Sequence, residues 1–207
     1  MPEPRVPAYP IDPLFLRRWS PRAMSGEPLA DEQLMTLFEA ARWAPSAFNG
    51  QPWRFLYAKR DTPYWERFLS YLNERNASWC VRAAALVVVL SKKTTDAGAE
   101  SWTAPFDTGA AWMSLALQGT LSGLVVHAMA GFDYDRAQAE LGIPADWDVQ
   151  CMVAIGRPGD PMLLPERQRV REFPSSRRSR SSGCGSSPRG KRTLSATREP
   201  DSSSNAR

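Results

Sequence analysis

The hydrophobic positions of this chain fall into short blocks whose period switches between 3.6 and 2. Leu34, Leu37, Phe38 and Ala41 recur at i, i+3, i+4 and i+7. They predict a helix with one face on a core, capped by Asp31 and ended by Pro45. A shorter helix is predicted over Leu14–Arg18, with Asp12 as N-cap and Pro13 at the first helical position. Trp53–Ala58 alternates apolar and polar side chains and reads as a strand. Trp65, Phe68, Leu69 and Leu72 predict a single helix over Asp61–Asn76. Ala84–Leu90 is a continuous apolar run, the pattern of a strand covered on both faces. A nearly uncharged helix over Asp107–Ser122 reads as central and buried. Strand Leu124–Ala130, the short helix Asp135–Leu141 and strand Asp148–Ile155 follow. Strands alternating with helices predict a sandwich of the two. The two leading helices, and the lack of GxGxxG and GxxxxGK[ST], argue against a standard dinucleotide or P-loop fold.

Composition changes the picture at the C-terminus. From Pro174 to Arg207 there are eight basic and two acidic residues, a net of +6, so the +4 of the whole chain leaves −2 for Met1–Phe173. Eleven serines and scattered apolar residues complete that tail, which predicts disorder because too little surface could be buried to offset its ordering entropy. The expected organisation is an extended arm over residues 1–10, one domain over 11–173 and a basic Ser/Arg-rich tail over 174–207. The longest apolar run, Ala83–Leu90, is strand-sized, so no membrane span is expected. The proline-rich, acid-bearing start lacks the apolar core of an export signal, and Cys80, Cys151 and Cys184 show no metal or disulfide spacing. A cytoplasmic protein without a metal is the expectation.

Three clusters carry candidate chemistry. Arg18, Trp19, Ser20 and Arg22 place two guanidinium groups around a hydroxyl, which could clamp a phosphate, although a solvated basic turn has the same composition. In Ala44–Phe55 (APSAFNGQPWRF), Asn49 and Gln51 each offer a donor beside an acceptor, as the rim of a planar heterocycle requires. Gly50 permits close backbone approach and the prolines stiffen the loop, yet the same residues would serve a plain helix-to-strand connection. The turn Met129–Asp133 (MAGFD) offers the backbone N–H groups of Ala130 and Gly131 at a strand end, where a ligand or a simple turn could use them. His127, the sole histidine, reads as a satisfied core residue, and no nucleophile elbow accompanies it. Asp107 reads as a helix cap, and Trp112 and Met113 as core packing.

In this order and spacing the clusters resemble the FMN-dependent nitroreductase family, specifically its short single-domain members. The matching stretches are Arg17–Met24, Glu39–Phe55, Asp107–Leu124, His127–Asp133 and Met152–Asp160. The resemblance implies an α+β fold, a three-layer α/β/α sandwich forming an intertwined homodimer with FMN at the interface. By the same resemblance Arg18 and Ser20 contact the phosphate, Trp19 covers the ribityl–phosphate region, and Arg22 lies near the pyrimidine edge of the flavin. Asn49 bonds the isoalloxazine rim with help from Gln51. Pro45, Ser46 and Ala47 come from the partner subunit, Ala130 and Gly131 face N5, and Arg177 closes over the phosphate. The implied activity is a ping-pong transfer of reducing equivalents from NADH or NADPH, through flavin N5, to nitroaromatics, quinones or similar small acceptors. No side chain need act as nucleophile.

Two departures stand out. Phe106 occupies a position where the short members carry histidine. After Arg178 the chain lacks the family's apolar, acidic arm, as a changed reading frame or a lineage-specific replacement would produce, and a weaker dimer is expected. Two rivals remain: a flavoprotein of the same fold with another reaction, such as flavin cleavage or reductive dehalogenation, and a nucleic-acid binder acting through the tail.

Overall fold

Four strands form one antiparallel sheet, and its second strand is covered on both faces as its unbroken apolar run requires. In this computed structural model the described residues are 5–176 and Arg178. The fold lies in the unit that ends at Ser176. The expected disorder after Arg178 and the expected role of Arg177 fall outside the described residues.

Strands β1 (Trp53–Lys59), β2 (Ala85–Lys92), β3 (Val125–Met129) and β4 (Trp147–Gly156) lie in the order β1-β2-β4-β3. Tyr57 pairs with Val87, Val88 with Met152, and Val126 with Ile155. Side chains of β2 alternate between two cores, as strand geometry demands. Leu86, Val88 and Leu90 face one cluster, and Ala85, Val87 and Val89 the other.

On the second cluster sit α2 (Asp31–Arg42), through Leu34, Leu37 and Ala41, and α5 (Ala104–Leu121), through Ala111, Leu115 and Ala116. At Gly119 of α5 an added Cβ would lie 2.4 Å from a methyl of Val126, so glycine lets the helix reach β3. The first cluster takes α3 (Trp65–Tyr71), α4 (Glu74–Cys80) and α6 (Tyr134–Glu140), through Trp65, Phe68, Tyr71, Trp79, Cys80 and Ala137. Helix α1 (Pro13–Arg17) precedes these and α7 (Glu166–Arg169) follows them.

Several local expectations change. The predicted helix over Asp61–Asn76 is broken: Leu72 is extended and bridges Phe132, and Asn73 caps α4 by accepting from Asn76 N–H. Asp31 is the first residue of α2 rather than its cap, and its carboxylate pairs with Lys59 at 2.5 Å. Asp107 does not cap its own helix but accepts from Ala47 N–H at 3.1 Å. Trp112 packs against the second cluster, whereas Met113 is 37% exposed. Asp12 caps α1 as expected, with Leu14 N–H donating to it at 2.7 Å.

Candidate functional site

The first cluster follows α1, whose last turn presents Arg18 as C-cap. Arg18 Nη1 donates to Ser20 Oγ at 3.4 Å, and all four residues of the cluster are half-buried. The far end of this loop is fixed by backbone. Ser25 N–H donates to Arg157 O, Gly159 N–H donates to Ala23 O, and Met24 bridges Pro158. A charged anchor adds to these. Glu172, just beyond α7, accepts from the N–H groups of Arg22 at 2.5 Å and Ala23 at 2.7 Å, while Arg22 Nη1 lies 3.6 Å from its other oxygen.

At the middle of β3, beside this loop, stands His127. Its Nδ1 lies 2.8 Å from Pro21 O, and its ring meets that of Trp79 of α4 at a centroid distance of 4.7 Å and a tilt of 47°. Burial lowers the imidazole pKa, opposed by the bond to Pro21, so the ring is neutral at pH 7 with Nδ1 as the donor. This is the satisfied histidine read from the sequence, and it ties the Arg18–Arg22 loop to β3, the strand that runs into the Met129–Asp133 turn.

Two residues beyond β3, Gly131 is half-buried against the N-terminus of α4. Its carbonyl accepts from Asn73 N–H at 3.1 Å and from Asn76 Nδ2 at 3.0 Å. An added Cβ there would lie 2.5 Å from Asn73 Nδ2 and 2.7 Å from Asn76 Nδ2. Two side-chain amides therefore crowd the turn at Ala130–Gly131, a close approach that only glycine permits. Asn73 and Asn76 escaped the sequence reading because they lay inside a supposed continuous helix. An asparagine before an acidic first turn is a capping signal that could have exposed the break.

The loop between α2 and β1 is the most strained part of the described backbone. Phe48, Asn49 and Gln51 adopt φ of 51°, 56° and 45° around a 3₁₀ turn at Ala47–Asn49. Left-handed conformations are costly for Phe and Gln, less so for Asn, and concentrate at functional sites. Asp107 holds Ala47, and Ser46 Oγ accepts from Gln51 N–H at 3.0 Å. Pro45 and Asn49 are exposed, and Ser46, Ala47 and Gln51 half-buried. Gln51 Nε2 donates to Asn49 O at 3.0 Å. Among the described residues no hydrogen bond joins this loop to Arg18–Arg22 or to Ala130–Gly131.

The sequence model of the nitroreductase family matches residues 16–157, more than half of the chain, and takes in the two joined clusters and the strained loop. This chain belongs to the nitroreductase family. Its fold is similar to that of a solved FMN-containing oxidoreductase, with 46% identity, a TM-score of 0.80, and 83% of this chain and 88% of that chain covered. A nitroreductase family protein from Clostridium difficile 630 has the same fold at 22% identity and a TM-score of 0.61, covering 80% of this chain and 94% of that one. An uncharacterised 15.4 kDa protein of the ask 5′ region of Mycolicibacterium smegmatis is 35% identical over 92 residues. That match covers 44% of this chain and 61% of the relative's length.

The donor set fits the FMN that this family implies. Arg18 and Ser20 form a cationic, hydroxyl-bearing loop suited to a phosphate, Arg22 adds a half-buried cation, and Asn73 and Asn76 set polar amides beside an exposed turn. The sole histidine is held by Pro21, and Cys80 and Cys151 are inert thiols, the latter pushed up to about 11 by burial. Among the described residues no His, Cys, Asp and Glu cluster could hold a metal, and no helix is long and apolar enough to cross a membrane.

Proposed function

We propose that this chain is an FMN-dependent oxidoreductase that carries reducing equivalents from NADH or NADPH to nitroaromatics, quinones or similar small acceptors. The observation that carries the reading is the meeting of the Arg18–Arg22 loop with β3, through His127 and Pro21, in a chain 46% identical to an FMN-containing oxidoreductase. When bound, FMN supplies the redox chemistry: hydride uptake from NAD(P)H at N5 and delivery to the acceptor, in ping-pong order.

The chain's own residues would bind and orient it. Arg18 and Ser20 would hold the phosphate, with Trp19 over the ribityl region; the part expected of Arg177 lies outside the described residues. Arg22 would lie near the pyrimidine edge, where a fixed positive charge would favour the anionic reduced form. Asn49 and Gln51 would bond the ring edge, and the backbone N–H groups of Ala130 and Gly131 would serve the flavin at the end of β3. The crowding of Asn73 and Asn76 on Gly131 supports a role for these amides in holding that turn.

The working unit is an intertwined homodimer, in which residues 11–173 form the three-layer FMN domain and Pro45, Ser46 and Ala47 reach the partner's cofactor. Phe48 (106% exposed), Trp102 (84%), Phe106 (82%) and Trp43 (75%) support it, because a second copy would cover large aromatic groups that otherwise face water. A cytoplasmic location accords with nicotinamide donors. The decisive experiment is flavin titration. Flavin absorbance at one FMN per chain, bleached anaerobically by NADH or NADPH and restored by a quinone or nitroaromatic, is expected. Asn49→Ala is expected to weaken FMN retention by about tenfold, with stability lowered by no more than the roughly 1–2 kcal/mol that alanine costs at its left-handed φ of 56°. A colourless protein that takes up no added FMN refutes the proposal.

A further inference from the structure

We infer that Glu172 is a positioning residue for the cofactor loop, fixing its backbone and balancing the charge of Arg22. The inference rests on the proposed flavin site. Glu172 is 5% exposed, and its carboxylate lies 150 residues from the loop it holds. Oε1 accepts from two successive N–H groups, those of Arg22 and Ala23. Carboxylates that hold successive amides do so with charge-assisted bonds, stronger than neutral ones. Oε2 is buried and, among the described residues, makes no hydrogen bond; the cation it faces there is Arg22 Nη1 at 3.6 Å. A buried anion with one oxygen lacking a hydrogen bond is costly unless a cation compensates it, so the side chain of Arg22 is drawn toward Glu172.

The remaining neighbours define this pair further. His127 feels both charges, and its neutral ring, bonded to Pro21, adds no cation of its own. Ala23 is 6% exposed, so water cannot replace a lost acceptor there without the loop shifting. Two consequences follow. The loop bearing Arg18 and Ser20 is clamped from the C-terminal side as well as by its pairing to residues 157–159. Arg22 reaches the flavin as half of an ion pair, with its field reduced by the carboxylate behind it, so Glu172 holds the reduced flavin less stable than Arg22 alone would make it.

Glu172→Gln separates the two roles because it keeps an acceptor oxygen of the same reach and removes the charge. In the FMN-loaded protein it is expected to leave FMN affinity within about threefold of wild type, through the retained acceptor, and to shift the flavin midpoint potential to more positive values. Glu172→Ala is expected to speed hydrogen exchange at the Arg22 and Ala23 amides by roughly tenfold or more, with FMN present or absent. An unchanged potential in a flavin-loaded Glu172→Gln protein overturns the charge balance. Unchanged amide exchange in folded Glu172→Ala overturns the clamp. Failure of the wild-type chain to take up FMN would sink the flavin reading instead, while the exchange experiment would still decide the clamp.

Discussion

Phe48 sets two forces against each other, and their magnitudes decide the outcome of replacing it. Its φ of 51° is a left-handed conformation with a bulky side chain, and that side chain is fully exposed in the protomer. Glycine would relieve about 1–2 kcal/mol of backbone strain and return roughly 0.5–1 kcal/mol as added freedom in the unfolded chain. For an isolated protomer Phe48→Gly is therefore stabilising by up to about 1.5 kcal/mol, a rise of at most roughly 3–6 °C in Tm. If a second copy covers the ring, as the proposed dimer requires, the substitution also removes about 1.5–3 kcal/mol of apolar burial per protomer. The loss then exceeds the gain, and it counts twice per dimer.

The expected result is a dimer weakened by at least about tenfold, measured by sedimentation equilibrium, with a Tm that falls with dilution. Phe48→Ala is the control: it loses the same ring but keeps the strained φ, so it should be less stable than Phe48→Gly by about 0.5–1 kcal/mol. A Tm that rises in Phe48→Gly at every concentration, with assembly unchanged, would refute the placement of this loop at an interface. Equal stability of the two variants would refute the strain.

Two other predictions concern the joined clusters. The His127 imidazole is lowered from its ordinary value of 6.5, so below that pH the unfolded chain binds a proton that the folded chain does not. Stability should fall as pH drops from about 6.5 toward the folded value, by at most about 1.4 kcal/mol per pH unit, and be flat above it. His127 is the only histidine, so urea unfolding between pH 5.5 and 7.5 should lose this slope in His127→Gln; the same slope in both proteins would contradict the assignment. Gly131→Ala would press a methyl onto Asn73 and Asn76, 2.5 and 2.7 Å away, and weaken the start of α4. A cost of about 1–2 kcal/mol is expected in the urea midpoint, together with loss of FMN uptake, and an unperturbed midpoint would show that the amides give way freely.

The strands and helices were legible where one period ran long enough to be unambiguous. Ala84–Leu90 is apolar on both faces because β2 is central and carries a core on each side. The α2 stripe is equally plain, since Leu34, Leu37 and Ala41 are all fully buried. The break at Leu72 was not legible from periodicity, because Trp65, Phe68, Leu69 and Leu72 keep helical spacing up to it. The chain leaves the helix there because Leu72 pairs with Phe132, 60 positions away, and local propensity carries no term for that contact.

The candidate site divides along the same line. Arg18, Ser20, Asn49 and Gly131 belong to compact motifs, so their residue types announced them. Glu172, Asn73 and Asn76 act on backbone brought in from elsewhere, and an isolated acid or amide has no such context in one sequence. Asp107 shows why this matters for chemistry. Read locally it is a helix cap, and in the fold it is the tether of Ala47, on a loop holding three left-handed residues. A strained loop keeps one conformation only when such tethers over-determine it. The motif at Ala44–Phe55 thus names the residues that would meet a cofactor, while the geometry that presents them is set by α5 and, in the proposed dimer, by a second copy.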